Sequence, residues 1–133
     1  MGSLGNPDRK ASVSAVLLVE DDLDIRQSMR SLLELDGFKV VTAANGAQAL
    51  SKLRRGLRPC VILLDLMMPI MDGFEFRKEQ MQDEALSVIP VVVYSGHYNP
   101  KACAARLGAT ALLQKPLDVD ALLKLVENHC SKH

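Results

Sequence analysis

The chain has 133 residues, 48% of them hydrophobic and 24% charged, which is enough for one domain with a proper core, too little for two of ordinary size, and too apolar for a disordered segment. Lys+Arg and Asp+Glu both number 16, giving a formal net charge of zero, so no global field points to nucleic acid or to an anionic membrane. No apolar segment approaches membrane-spanning length and no signal-peptide h-region opens the chain; Cys60, Cys103 and Cys130, far apart and without a C-x-x-C pair, read as reduced, mostly structural thiols of a cytoplasmic protein.

Residues 1–14 are polar and aperiodic, with Gly2, Gly5 and Pro7, and read as a disordered leader or cloning scar ahead of a domain spanning 15–133. Ala15 to Val19 predicts a first strand that runs into Glu20-Asp21-Asp22. Ile25, Met29, Leu32 and Leu33 then fall at i, i+4, i+7 and i+8, one stripe of a helix stopped by Gly37. Phe38 to Thr42 alternates in part and predicts an edge strand. Asn45 caps a second helix through Leu53, with Gly56 beyond its end and Pro59 announcing the next strand. That strand, Val61 to Leu64, is apolar without a break until Asp65, after which Pro69 and Asp72-Gly73 turn the chain. Asp72 and Glu75 form a capping box for a helix to about Met81. Ile89 to Tyr94 predicts a fourth strand, ending in Ser95-Gly96. Asn99-Pro100 starts a helix closed by Gly108, and Thr110 to Gln114 is a fifth strand running into Lys115-Pro116. Asp118 caps a last helix with Leu122, Leu125, Val126 and His129 on its inward stripe.

Five strands alternating with five helices through short connections predict a doubly wound, flavodoxin-like α/β fold: a parallel sheet in the order 2-1-3-4-5, with the active edge at the switch between strands 1 and 3. Unbroken apolar runs suit strands covered on both faces. Parallel strands bring an acid cluster, the Asp65 carboxylate, the Ser95 hydroxyl and the Lys115 ammonium to one edge. Chemically this is a hard-cation site with a phosphate nucleophile beside it: carboxylates favour Mg²⁺, the hydroxyl and ammonium hold phosphoryl oxygens, and Asp65 can attack phosphorus to give an acyl phosphate.

At this point the chain resembles the receiver domain of two-component response regulators, chemotaxis-regulator-like, over roughly residues 15–130. The marks are V-E-D-D at Val19 to Asp22, D-L-M-M-P-I-M-D-G at Asp65 to Gly73, Y-S-G at Tyr94 to Gly96, and K-P at Lys115-Pro116. Each is weak alone; together, in order and at strand ends, they are highly specific. The resemblance implies that Asp65 is the phosphoacceptor, with Asp21 binding Mg²⁺ (or Mn²⁺) directly or through water. It implies further that Glu20 is the other member of the acidic pair, in the second shell or acting through water, and that the Met67 backbone carbonyl is a further ligand. Ser95 would move to the phosphoryl group, Lys115 would pair with it, and Pro116 would follow a cis bond. The implied protein is bacterial and cytoplasmic and no conventional enzyme, since it catalyses only its own phosphorylation and slow dephosphorylation. The donor would be a sensor histidine kinase or a phosphotransfer protein, and the recipient of the signal a downstream effector protein or an attached output domain. No direct nucleic acid contact and no membrane is implied.

Blander readings stand beside these. Asp22 serves equally as a cap for the first helix, Ser95 as a turn residue, His97 as an exposed loop histidine, and Met67, Met68 and Met71 as gap-fillers. His97, His129 and His133 have no zinc-ligand spacing with the cysteines. Three positions depart from the family pattern or tune it. Leu112 stands three residues before the lysine, where an aromatic ring is frequent, and Met67 and His97 lie where the family tunes hydrolysis. The competing functions are a partner-binding pseudo-receiver and an aspartyl phosphatase. The latter wants an acid where Met67 stands.

Overall fold

A computed structural model describes residues 14–96 and 100–132. Five parallel strands form one sheet in the order β2-β1-β3-β4-β5: β1 (Val16–Val19), β2 (Val40–Ala43), β3 (Val61–Asp65), β4 (Val91–Ser95) and β5 (Ala111–Gln114). The order and direction expected from the sequence are those observed. In β1, β3 and β4 every residue is buried, which explains why their sequences show no alternation.

Six helices cover the sheet among the described residues: α1 (Leu23–Leu35), α2 (Gly46–Arg54), α3 (Gly73–Met81), α4 (Glu84–Ser87), α5 (Pro100–Leu107) and α6 (Val119–His129). The helix not expected from the sequence is α4, a single turn started by Asp83, whose side chain accepts the Ala85 N–H. Four residues leave no room for a periodic stripe, so only a cap marks it. The other caps fall where expected: Asp22, Asn45, Asp72 and Asp118 each accept a first-turn N–H, and Asp72 and Glu75 complete their box. Asn99, read as the cap of α5, lies outside the described residues, as do residues 1–13, His97 and His133.

One core lies on each side of the sheet. Leu17, Val19, Ile62, Leu64 and Val93 face Leu50, Leu53, Phe76 and Leu86 on one side. Val16, Leu18, Leu63, Val92 and Tyr94 face Met29, Leu33, Leu122 and Val126 on the other. The stripe expected on α1 is narrower than four residues. Met29 and Leu33 are buried, whereas Ile25 (38% exposed) and Leu32 (37%) lie on its flank. The inner line of that helix includes Arg26, whose guanidinium reaches back to the carbonyls of Glu20 and Asp21 and so ties α1 to the end of β1.

Helix α3 buries polar groups that a hydrophobic stripe does not reveal. Arg77 donates to Gln80 and to the carbonyls of Leu107 and Gly108, capping α5 from the side, and Gln80 donates in turn to the carbonyls of Leu86 and Ile89. Burial lowers the pKa of Arg77, and its hydrogen bonds to helix-terminal carbonyls supply the partial negative charge that a buried cation needs.

The expectation of reduced thiols needs correction. Cys60 and Cys130 form a disulfide across 70 residues of sequence, with their Cα atoms 5.4 Å apart. Their spacing gave no hint of it, because the fold alone brings the residue before β3 next to the residue that ends α6.

Candidate phosphoacceptor site

The carboxyl ends of β1 and β3 lie side by side, with Val19 opposite Leu64, and β3 pairs with β4 so that Asp65 stands opposite Tyr94. The parallel register therefore delivers Glu20, Asp65 and Ser95 to one edge. Glu20 (1% exposed), Asp65 (4%) and Ser95 (1%) are buried, while Asp21 is exposed. One carboxylate oxygen from each of Glu20, Asp21 and Asp65 lies within 4.8 Å of the others.

Lys115 comes in from the end of β5. Its Nζ stands 3.5 Å from Asp65 Oδ1 and 3.8 Å from Glu20 Oε1, and 5.1 Å from the centre of the Tyr94 ring. The Lys115 N–H donates to the Ser95 carbonyl, its side chain passes Gly96, and the Lys115-Pro116 peptide is cis. The loop after β3 is pinned from several sides. Gly73 N–H donates to the Leu66 carbonyl and Gly46 N–H to the Met71 carbonyl. At Gly73 an added Cβ would meet the Asp65 carbonyl oxygen and the Leu66 Cα at 2.8 Å each, so only glycine lets α3 start this close to the strand end. Ile70, 82% exposed, holds φ at +69°, an uncommon conformation for a β-branched residue, so this loop carries backbone strain beside the site.

The electrostatics follow from burial. The Asp65 carboxyl is raised above the usual range by desolvation, with repulsion from Asp21 adding to it, while Lys115 and the Met67 N–H oppose. Glu20 is raised for the same first reason, and Asp65 repels it further; the Asp22 N–H, the Tyr94 hydroxyl and Lys115 pull the other way. Two buried, mutually repelling carboxylates beside a third describe a pocket in which a divalent cation fits, since positive charge relieves the strain.

The sequence marks Tyr94 as the end of a strand and the start of the Y-S-G motif and assigns it no role at the site. Its hydroxyl donates to Glu20 Oε1 at 2.9 Å, and burial next to Glu20 pushes its pKa far above the ordinary range, so it is a neutral donor. The signal available was the adjacency of a hydroxyl to Ser95 at the same strand end. Asp22 caps α1 through the Ile25 N–H and offers its own N–H to Glu20, so it acts on the cluster through its backbone. Met67, two residues after Asp65, is 66% exposed, and its backbone N–H bonds the Asp65 carboxylate.

The model of the response regulator receiver domain matches residues 16–127 of this chain. The chain belongs to that family. Among relatives, the transcriptional regulatory protein CpxR homolog of Haemophilus influenzae is 36% identical over 86% of this chain and 49% of its own length. Sporulation initiation phosphotransferase F of Bacillus subtilis is 33% identical, over 86% of this chain and 91% of its own. The high-resolution structure of the chemotaxis response regulator CheY4 of Vibrio cholerae superposes with a TM-score of 0.78 at 34% identity, covering 87% of this chain and 98% of that chain. The receiver spans about half the length of the CpxR homolog, and nearly all of the phosphotransferase. Among the described residues no helix is long and apolar enough to cross a membrane.

Proposed function

We propose that this receiver takes a phosphoryl group from the phosphohistidine of a sensor histidine kinase or phosphotransfer protein onto Asp65. The observation that carries the reading is the placement of Lys115 Nζ 3.5 Å from a buried Asp65 whose carboxylate shares one cluster with Glu20 and Asp21. An Asp65 oxygen attacks phosphorus in line as the P–N bond to the imidazole breaks, and the imidazole leaves with its bonding pair and takes a proton. Positioning and charge neutralisation are the whole of the protein's task in such a transfer. Lys115 faces the charge that develops on the phosphoryl oxygens, and the Ser95 hydroxyl stands at the neighbouring strand end to accept or donate to them. Asp21, Asp65 and the Met67 carbonyl would hold Mg²⁺ or Mn²⁺, with Glu20 acting through water; when bound, that ion neutralises phosphoryl charge. Tyr94 fixes the Glu20 carboxylate by its hydrogen bond. Water later hydrolyses the acyl phosphate and resets Asp65.

The recipient of the signal is a downstream effector or an attached output domain. The CpxR homolog, twice the length of its match to this chain, is described as a transcriptional regulator. The switch would act through α5, β5 and α6, with Leu112 rather than an aromatic ring between Lys115 and that surface. The site of action is the cytoplasm.

The test is intact-mass analysis after acetyl phosphate and Mg²⁺. Wild type should gain one phosphoryl group; wild type with chelator, and Asp65→Asn with Mg²⁺, should gain none. An unmodified wild type would overturn the proposal in favour of a domain that binds partners without being phosphorylated.

A further inference from the structure

We propose that Cys60 is a thiol-exchange site, and that the Cys60–Cys130 bridge is a reversible latch opened and closed by small thiols and disulfides of the glutathione class. The two sulfurs are bonded, but their surroundings differ: Cys60 is half-buried at the surface, whereas Cys130 is 9% exposed and packs in the core with Val126 and Phe38. Attack on a disulfide needs access to one sulfur along the S–S axis, and the more open partner here is Cys60.

An external thiolate attacks Cys60 Sγ. The bond between the two protein sulfurs breaks, and the electron pair leaves on Cys130, which takes a proton. A second external thiol then attacks the mixed disulfide, releasing Cys60 as a thiol and the small molecule as its own disulfide. The protein gains two electrons and two protons, and two small thiols are oxidised. Closure is the reverse, with the oxidised small disulfide as oxidant.

What the latch holds is the end of α6. Cys130 follows that helix as its cap, its N–H donating to the Val126 carbonyl, and Cys60 directly precedes β3, its N–H donating to the Ala15 carbonyl. The ion pairs at this corner are partly exposed to solvent. Lys132 pairs with Asp36 at 3.2 Å and Glu127 at 3.1 Å and lies over the Phe38 ring, and pairs of this kind hold a helix end weakly. With the bridge open, the last turn of α6 is held by its buried Val126, the partly buried Leu125 packed beside it and these screened contacts. Cys60 and Asp65 stand at opposite ends of β3, so the latch acts on the helix that follows Lys115 and leaves the acidic pocket untouched.

The full chain is equilibrated in buffers of varied reduced-to-oxidised glutathione ratio, quenched in acid, alkylated and peptide-mapped, so that Cys103, the third cysteine of the sequence, is scored separately. The expected result is one transition between bridged and doubly free Cys60 and Cys130. Backbone amide exchange across residues 126–130 should run at least tenfold faster in the reduced form, with β3 unchanged. Cys130→Ser should accumulate a glutathione adduct on Cys60. Three results would overturn the proposal: a bridge that never forms, a bridge that excess reduced glutathione leaves intact under native conditions, or exchange rates across 126–130 equal in both forms. These read the wild type and hold whether or not the variant folds.

Discussion

A single methyl group at Gly73 should disturb the site more than many substitutions within it. Alanine there would put Cβ 2.8 Å from the Asp65 carbonyl oxygen and from the Leu66 Cα, and 2.9 Å from Leu66 Cδ2. Two of the three are backbone atoms, which have no rotamer to retreat into, and relaxed contacts begin near about 3.5 Å. The start of α3 must therefore back away from the end of β3 by about half an ångström or more. That lengthens the Gly73 N–H to Leu66 carbonyl bond, now 2.9 Å. Overpacking of this kind costs about 1–3 kcal/mol and a weakened hydrogen bond about 1 kcal/mol, against a helix-propensity gain of at most about 1 kcal/mol. The net loss is about 2 kcal/mol, a fall in Tm of roughly 6–10 °C for a domain of this size. Thermal unfolding by circular dichroism measures it. Gly56→Ala is the control: its φ is +112° with nothing within 4 Å of the added Cβ, so backbone strain acts there without any clash and should cost about 1–2 kcal/mol. A Gly73→Ala protein as stable as wild type would show that the strand end and helix start are not in contact as described.

Two further outcomes bear on the same loop and pocket. Ile70→Asn should raise stability by about 1 kcal/mol, because asparagine tolerates positive φ and the exposed isoleucine leaves little packing to lose; urea titration reads it, and a lower midpoint would mean that the Ile70 side chain holds the loop. Excess Mg²⁺ should raise Tm more at about pH 8 than at about pH 5. Glu20 and Asp65 have raised folded-state pKa values, so the metal-free folded state binds more protons than the unfolded one, and its stability falls as pH rises through that window. Cation binding must displace those protons and so gains with pH; at a hundredfold excess over Kd the stabilisation is about 2.7 kcal/mol. A Mg²⁺ effect equal at both pH values would contradict the placement of these carboxyls in the cation site.

What could be read from residue order was whatever depends on local pattern. The unbroken runs at Val16–Val19, Val61–Asp65 and Val91–Ser95 are long enough to mark central strands, and short connections between strands and helices then limit the topology. Once the strands are parallel, Glu20, Asp65, Ser95 and Lys115 meet by register, which is why the site was legible before its geometry. Features created by long-range packing were not. Cys60 and Cys130 are joined across 70 residues, and Arg77 finds its partners at Leu107 and Gly108. Tyr94 reaches Glu20 only because strand β4 lies one place over from β1 across β3. Ile25 and Leu32 looked inward because a helical wheel marks a face without saying how much of it the sheet covers.

The nucleophile itself can be caught. An acyl phosphate formed with Mg²⁺ and acetyl phosphate is reduced by borohydride to the corresponding alcohol, and peptide sequencing by mass spectrometry then locates the reduced side chain. Reduction confined to position 65 is the outcome expected of a buried Asp65 facing Lys115. Reduction at Glu20 or Asp21 instead would move the chemistry to another carboxylate of the cluster and contradict the assignment.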